Sequence, residues 1–238
     1  MKIALFGHGA MGRLVEERAR VEGHEIALII TTRDGAQDAA EVAARLRGLD
    51  AAIDFSVAGA VAANVAACVQ ANVPIVVGTT GWRDEEQAIR ESVEAQSGAL
   101  VFGANFSVGV NLFYRIVARA AEVFAGFADY APFIEEAHHA RKRDAPSGTA
   151  LKLRDLLAAQ YGARDISVAS TRAGFIPGTH RVGFDSAADQ IMLTHTARSR
   201  EGFAAGALVA ARWIQGRRGV YEFAEVIEEM LKERMNKP

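Results

Sequence analysis

From His138 to Ala150 the chain reads HHARKRDAPSGTA. A histidine titrates near neutral pH and can hand a proton to a substrate. Pro146 prevents an upstream helix from running on, and Ser147 is a good N-cap. A helix is therefore expected from about Ser147, with Ala150, Leu153 and Leu157 at helical spacing. The start of such a helix offers N–H groups to an anion. With the hydroxyls of Ser147 and Thr149 and the bare backbone of Gly148, the simplest anion is a carboxylate. His138, His139, Arg141, Lys142 and Arg143 would surround that anion with positive charge. Taken singly, each feature is also what a solvated basic loop and an ordinary helix start would contain. Glu135 and Glu136 lie just upstream, but no Cys/His set at ligand spacing completes a site with them, so no metal is expected. No Gly-x-Ser-x-Gly elbow supports a hydrolase triad.

A second group sits at the N-terminus. Gly7-His8-Gly9-Ala10-Met11-Gly12 fits G-x-G-x-x-G and lies between an apolar run and a helical pattern, the context a dinucleotide turn requires. The first glycine permits the turn, the second lets a pyrophosphate approach the backbone, and the third lets helix pack on strand. An acid about 20 residues on would select NADH through the ribose 2′-hydroxyl. Here the next strand runs into Ile30-Thr31-Thr32-Arg33-Asp34, with no acid directly at its end. Arg33 is placed to meet a 2′-phosphate, so NADPH is expected to bind at least as well as NADH. Gly78-Thr79-Thr80-Gly81 and Gly103-Ala104-Asn105-Phe106 also follow strand patterns. In an open α/β sheet ligands lie beyond the carboxyl ends of the strands, so both turns are candidates to face the nicotinamide.

These groups need elements to hold them. Strands are expected at Lys2–Phe6, Glu25–Ile30, Ala51–Phe55, Pro74–Val77 and Ala99–Phe102. Helices are expected at Arg13–Val21, about Ala58–Ala71 and near Asp84–Gln96. This alternation implies βαβ units and a parallel sheet. Val108–Phe124 then reads as one long helix. Strand patterns follow at Ala131–Ala137, Ile166–Arg172, Arg181–Phe184 and Gln190–Thr196, with helical patterns at Arg200–Gln215 and Tyr221–Met235. The fold class is thus α/β: a Rossmann-like parallel sheet over 1–105 and a second, α+β substrate domain over 106–215. The last helix, about 216–238, is expected to pack back on the first domain.

The chain has 238 residues, half of them hydrophobic, with a formal charge of -2. That is long enough for a large buried core. The charge argues against bulk nucleic-acid or membrane-surface binding, which shows as excess Lys and Arg, so any attraction for an anion must be local. The single cysteine, Cys68, excludes an internal disulfide. No apolar run approaches the roughly 20 residues of a membrane span, and MKIALF runs straight into the glycine turn without a secretory pattern. A cytoplasmic protein is expected.

The two groups together resemble the 4-hydroxy-tetrahydrodipicolinate reductase (dihydrodipicolinate reductase) family of the diaminopimelate–lysine pathway. The family pattern E-x-H-H-x-x-K-x-D-A-P-S-G-T-A is met at Glu136, His138, His139, Lys142 and Asp144 through Ala150. The resemblance extends over Gly78-Thr79-Thr80, Ala104–Gly109, Arg172-x-Gly174, Gly178-Thr179-His180, Thr194-His195, Ser199-Arg200 and Phe203–Ala207, nearly the whole chain. It implies NAD(P)H-dependent reduction, with loss of water, of a cyclic dicarboxylate. It further implies His138 as proton donor and Lys142 as a second acid or an electrostatic stabiliser. His139 would contact substrate, Gly148 and Thr149 would bind a carboxylate, and the chain would form a homotetramer. The sequence departs from the family in its short stretch between the second and third strands and in Arg141 and Arg143 flanking the family lysine. A related NAD(P)-dependent reductase for another cyclic imine or amino-acid-derived acid, or a non-catalytic NAD(P)-binding sensor, are the alternatives.

Overall fold

The computed structural model of the chain describes residues 1–31, 38–162 and 165–235. Strands and helices first alternate: β1 (Lys2–Phe6), α1 (Ala10–Val21), β2 (Glu25–Ile30), α2 (Ala39–Leu46), β3 (Ala51–Asp54), α3 (Val61–Ala71), β4 (Ile75–Val77), α4 (Glu86–Ala95) and β5 (Ala99–Phe102). Then come α5 (Val108–Ala125), β6 (Ala131–His138), α6 (Gly148–Tyr161), β7 (Ser167–Arg172), β8 (Thr179–Asp185) and β9 (Gln190–Thr196). The chain ends with α7 (Glu201–Trp213), β10 (Gly219–Glu222) and α8 (Phe223–Met235). Two compact units result: Met1–Val108 together with the chain from Arg200, and Gly109–Ser199.

The first unit carries a six-stranded sheet in the order β10-β5-β4-β3-β1-β2, and every pair is parallel. β3, β4 and β5 are buried at every residue, as strands covered on both faces must be. The chain leaves β1 toward β2 on one side and returns to β3 on the other. The strand order therefore reverses beside the carboxyl end of β1, where open α/β sheets bind ligands.

Two elements of this unit differ from the sequence expectation. α2 stands where only a short connection was expected. Its two turns carry the buried stripe Val42, Ala43 and Leu46, and Asp38 caps it by accepting from the Ala40 amide. β10 adds a parallel edge to β5 where the sequence pattern predicts a helix from Tyr221. Four residues are too few for alternation to separate a strand from a helix turn. The chain also returns to the first unit at Arg200, earlier than the expected 216. The cause lies in α7: Gly206 sits so close to the Phe106 backbone that a Cβ there would lie 1.7 Å from the carbonyl oxygen. The boundary falls after Val108, three residues beyond the expected Asn105.

The second unit is built on a mixed sheet ordered β7-β6-β8-β9. β7 runs parallel to β6, and β8 and β9 are antiparallel to their neighbours. One face packs on α5 and α6: Ile134, Val182 and Phe184 meet Phe113, Val117, Leu153 and Leu157 in a continuous core. Each such side chain contributes about 1.5–3 kcal/mol by leaving water. Toward one end the same face turns polar. β6 continues from Ile134 to Glu136 and His138, His180 of β8 pairs opposite Glu136, and His195 of β9 pairs opposite His180. Strand side chains alternate between faces, so these four polar groups share the face of Ile134 and Val182.

Candidate active site

In the first unit the glycine turn closes on the end of β3. Gly7 has φ +86°, and a Cβ there would lie 2.4 Å from the Phe55 carbonyl oxygen. A Cβ at Gly12 would lie 2.2 Å from the Gly7 carbonyl oxygen. Both glycines are thus required by the protein's own packing. Gly9 differs, since a Cβ there would meet nothing within 4 Å. The space over it is open to a ligand, and no side chain caps the start of α1, leaving first-turn N–H groups to an anion. Gly9, Ala10 and Met11 share the lining of a cleft of about 350 Å³ with Phe55, Gly78 and Thr80, among others. These residues fit a dinucleotide.

A carboxylate that the sequence reading passed over organises this cleft. Asp54, fully buried, ends β3. Its Oδ1 accepts from the Ser56 amide at 2.8 Å, the Ser56 hydroxyl at 2.6 Å and the Thr79 hydroxyl at 2.8 Å, and its Oδ2 accepts from Asn64 Nδ2 at 2.8 Å. Trp82 Nε1 donates to the Thr79 carbonyl at 2.8 Å. The loop after β3 and the Gly78–Thr80 turn are therefore tied together through one side chain. An acid closing an otherwise apolar strand, AAID, was the available signal. His8 pairs through Nε2 with Glu16 at 2.6 Å and lies outside the cleft lining. Gly103–Phe106 also lies outside it: Asn105 Oδ1 accepts from the Ser107 amide at 2.9 Å, and the Phe106 ring packs on Phe223 at 4.6 Å. Arg33 is outside the described residues.

In the second unit the polar end of the sheet meets the start of α6. The helix begins as expected, with Ser147 Oγ accepting from the Ala150 amide at 3.3 Å. The Ser147 hydroxyl lies 3.1 Å from His180 Nε2. Since its oxygen already accepts, its hydrogen is free to go to His180. A neutral imidazole is the partner this requires, and burial, reinforced by the positive charge of a protonated His138, pushes the His180 pKa down to about 4. Gly148 is open, with no atom within 4 Å of a would-be Cβ. The Thr149 hydroxyl bonds the half-buried Tyr114 of α5.

His138 is nearly buried beside this helix start, and Nδ1 contacts Oε2 of Glu136, whose side chain has no exposure. Glu136 Oε1 accepts from Arg172 Nη2 at 2.6 Å and from the Ser147 amide at 3.3 Å. Burial alone would raise the Glu136 pKa. Hydrogen bonds from Arg172 and Ser170 and the charges of His138 and Arg172 overcome this and hold it at about 2. Burial lowers the His138 pKa, against the charge and hydrogen bond of Glu136. The second atom of the ring, Nε2, lies 3.2 Å from the point where a Cβ on Gly178 would sit. Lys142 Nζ pairs with Asp144 Oδ1 at 2.9 Å, and Arg172 also donates to the Asp144 carbonyl at 2.6 Å. His139 is partly buried in the same turn, while Arg141 and Arg143 are exposed.

Glu136, His180 and Arg172 were present in the sequence pattern without assigned roles. Pairing across strands is what brings them to His138, and no linear spacing reports it. The sheet also gathers Glu136, His138 and His180 within 4.8 Å of one another, a grouping of metal-ligand types that adjacent spacing did not reveal. Arg172 and Ser147 already engage Glu136, Ser147 engages His180, and the cationic Arg172 and Lys142 stand beside them. A cation entering there would meet the positive charges of Arg172 and Lys142 beside His138.

Comparison with known proteins agrees with this architecture. Residues 1–106 match the N-terminal and residues 109–227 the C-terminal family description of dihydrodipicolinate reductase. A 4-hydroxy-tetrahydrodipicolinate reductase of Christiangramia forsetii is 35% identical, covering 98% of this chain and 100% of that protein. One from Stenotrophomonas maltophilia is 39% identical over 95% of this chain and 98% of its own. Among solved structures, a dipicolinate-bound dihydrodipicolinate reductase from Paenisporosarcina sp. TG-14 shares the fold at TM-score 0.82, with 20% identity over 95% of this chain and 99% of that chain. The chain belongs to the dihydrodipicolinate reductase family.

Proposed function

We propose that the Glu136–His138–Ser147 constellation is where this chain binds and protonates its substrate, and that the glycine-lined cleft of the first unit holds the dinucleotide. The activity itself follows from the family: a pyridine-nucleotide-dependent reduction of 4-hydroxy-tetrahydrodipicolinate in diaminopimelate and lysine biosynthesis. Loss of water from this cyclic dicarboxylate leaves a conjugated C=C–C=N system. Reduced nicotinamide, when bound, supplies a hydride to one carbon of the C=C. The electron pair shifts toward the imine nitrogen, and the neighbouring carbon takes a proton, giving tetrahydrodipicolinate.

The protein must supply that proton, and His138 is our assignment. The supporting observation is the contact of Nδ1 with a fully buried carboxylate, which leaves Nε2 for the substrate. A positioned proton donor contributes about 10²–10⁴ in rate. Lys142, anchored by Asp144, stabilises the negative charge that develops on the conjugated system. The start of α6, through Ser147, Gly148 and Thr149, takes one substrate carboxylate, and His139 makes a further substrate contact. In the first unit, Gly9–Met11 and Gly78–Thr80 line the dinucleotide side, with Gly7 and Gly12 shaping the turn beneath it.

The test follows nicotinamide absorbance with the purified chain, pyruvate, aspartate semialdehyde and a condensing synthase to generate the unstable substrate. Oxidation is expected only when every component is present. Oxidation absent with cofactor still bound would favour a different imine or a sensor. NADPH is expected to bind at least as tightly as NADH, because no acid directly follows β2 and Arg33 is near in sequence. Parallel calorimetric titrations measure this, and a strong NADH preference would refute it.

We also assign this chain a cytoplasmic location and a homotetrameric state. No helix among the described residues is long and apolar enough to cross a membrane. The sheet face of the second unit opposite α5 and α6 carries the Phe133 ring directly over Gly183, Met192 at 37% exposure and the exposed Arg181–Glu135 ion pair, a mixed surface offered to a second copy. Sedimentation equilibrium is expected to return four chains per particle, and a monomer mass would end that assignment.

A further inference from the structure

The contact between Glu136 and His138 carries a role that the shared motif alone does not assign. Glu136 Oε2 faces His138 Nδ1 as a charge contact, and a carboxylate can only accept, so this placement favours the neutral ring that carries its N–H on Nδ1. The other nitrogen, Nε2, then carries the proton that is given away, and the ring left behind is already in its stabilised tautomer. Glu136 can do this only if it is held still and kept ionised. Arg172 at 2.6 Å and the Ser147 amide at 3.3 Å anchor its other oxygen, and its side chain has no exposure. The Arg172 guanidinium also holds the Asp144 carbonyl at 2.6 Å, and Asp144 holds Lys142 at 2.9 Å. One cation thus ties the strand behind the proton donor to the loop that carries the lysine.

We propose that Glu136, clamped by Arg172, is a positioning residue that fixes the tautomer and orientation of His138 so that Nε2 delivers the proton. This rests on the reading of His138 as the donor.

The charged and titratable groups facing His138 are Glu136 on its own strand, Arg172 on β7, His180 on β8 and Lys142 on the following loop. Glu136 is the only one of these that raises the ring's proton affinity; Arg172, Lys142 and burial lower it. Donation needs the protonated ring, so rate falls as pH rises through the His138 pKa. Replacing Glu136 with a neutral group lowers that pKa and moves the falling limb to lower pH.

Two measurements test the proposal. The first uses wild-type protein and ¹⁵N–¹H correlation of its histidine rings, with the His138 signals identified by their loss in His138→Gln. Neutral His138 is expected to be protonated at Nδ1; protonation at Nε2 would overturn the proposal without any Glu136 variant. The second compares kcat against pH for wild type, Glu136→Gln, His138→Gln and the double variant. Glu136→Gln is expected to lower kcat by roughly 10–10²-fold and to shift the falling limb to lower pH, because the Glu136 charge that raises the His138 proton affinity is gone. It should have little further effect in the His138→Gln background, because the two residues act as one unit. Glu136→Asp keeps the charge and should keep the limb nearer its wild-type position. A Glu136→Gln enzyme with reduced kcat but an unmoved limb and an unchanged ring tautomer would reduce Glu136 to a structural role. Full activity in His138→Gln would instead remove the donor reading beneath the proposal, so the two failures are distinguishable.

Discussion

His138→Gln is expected to lower kcat by about 10²–10⁴-fold while leaving the dissociation constant of the nicotinamide cofactor unchanged. Glutamine approximates the reach of the ring and fills most of its nearly buried place beside Glu136, but it carries no titrating proton. The cofactor cleft is lined by residues of the first unit, Gly9 to Met11, Phe55 to Ala58 and Gly78 to Thr80, none of which the substitution alters. KM for substrate should move little, because the carboxylate contacts are assigned to Ser147, Gly148 and Thr149. A loss confined to kcat identifies an interaction made only in the transition state. Steady-state kinetics in the coupled assay, with cofactor titration of the same preparation, would settle the matter. Equal kcat in variant and wild type would remove His138 as the acid.

Gly12→Ala is the second large effect. Its Cβ would stand 2.2 Å from the Gly7 carbonyl oxygen. The turn has nowhere to retreat, since Gly7 itself is wedged against the Phe55 backbone. Overpacking of this kind costs about 1–3 kcal/mol. Because the displaced backbone is the dinucleotide cradle, cofactor affinity should fall at least roughly tenfold, the equivalent of about 1.4 kcal/mol. Gly9→Ala makes the useful contrast. Its Cβ enters open space, so the melting temperature should hold while the pyrophosphate is kept off the backbone and binding weakens. Thermal melts with and without cofactor separate the two, and wild-type affinity in Gly12→Ala would sink the argument.

Most of the first unit was legible because its central strands, β3 to β5, are buried at every residue and read as plain apolar runs between turns. The start of α6 was legible for a different reason: Pro146, Ser147 and the Ala150–Leu153–Leu157 stripe are local signals with local causes. α2 was lost because eight alanine-rich residues make only two turns, and β10 because an edge strand of four residues shows no period. The site was half legible. His138, Lys142 and the Ser147–Thr149 helix start stand in one stretch of chain. Glu136 stands there too, but its partner Arg172 lies on β7 and its cross-strand neighbour His180 on β8, and strand register sets both meetings. Asp54 was hidden inside the run Ala51–Phe55, where a single acid among apolar residues of an expected strand gives no sign of its role.

The discontinuity of the first unit has a consequence for how the chain is made. The strand that covers the outer edge of β5 is β10, and synthesis reaches it only after all of β6 to β9 has been completed. Through that interval β5 presents an unpaired row of backbone donors and acceptors, the kind of edge that recruits other chains. α7, whose Gly206 seats against the Phe106 backbone, is missing for most of the same interval. The second unit is contiguous in sequence and can close on itself before β10 emerges, whereas the six-stranded sheet is completed only by Gly219–Glu222. Domains tend to fold as units during synthesis, so the N-terminal half of this protein is born first and becomes native second.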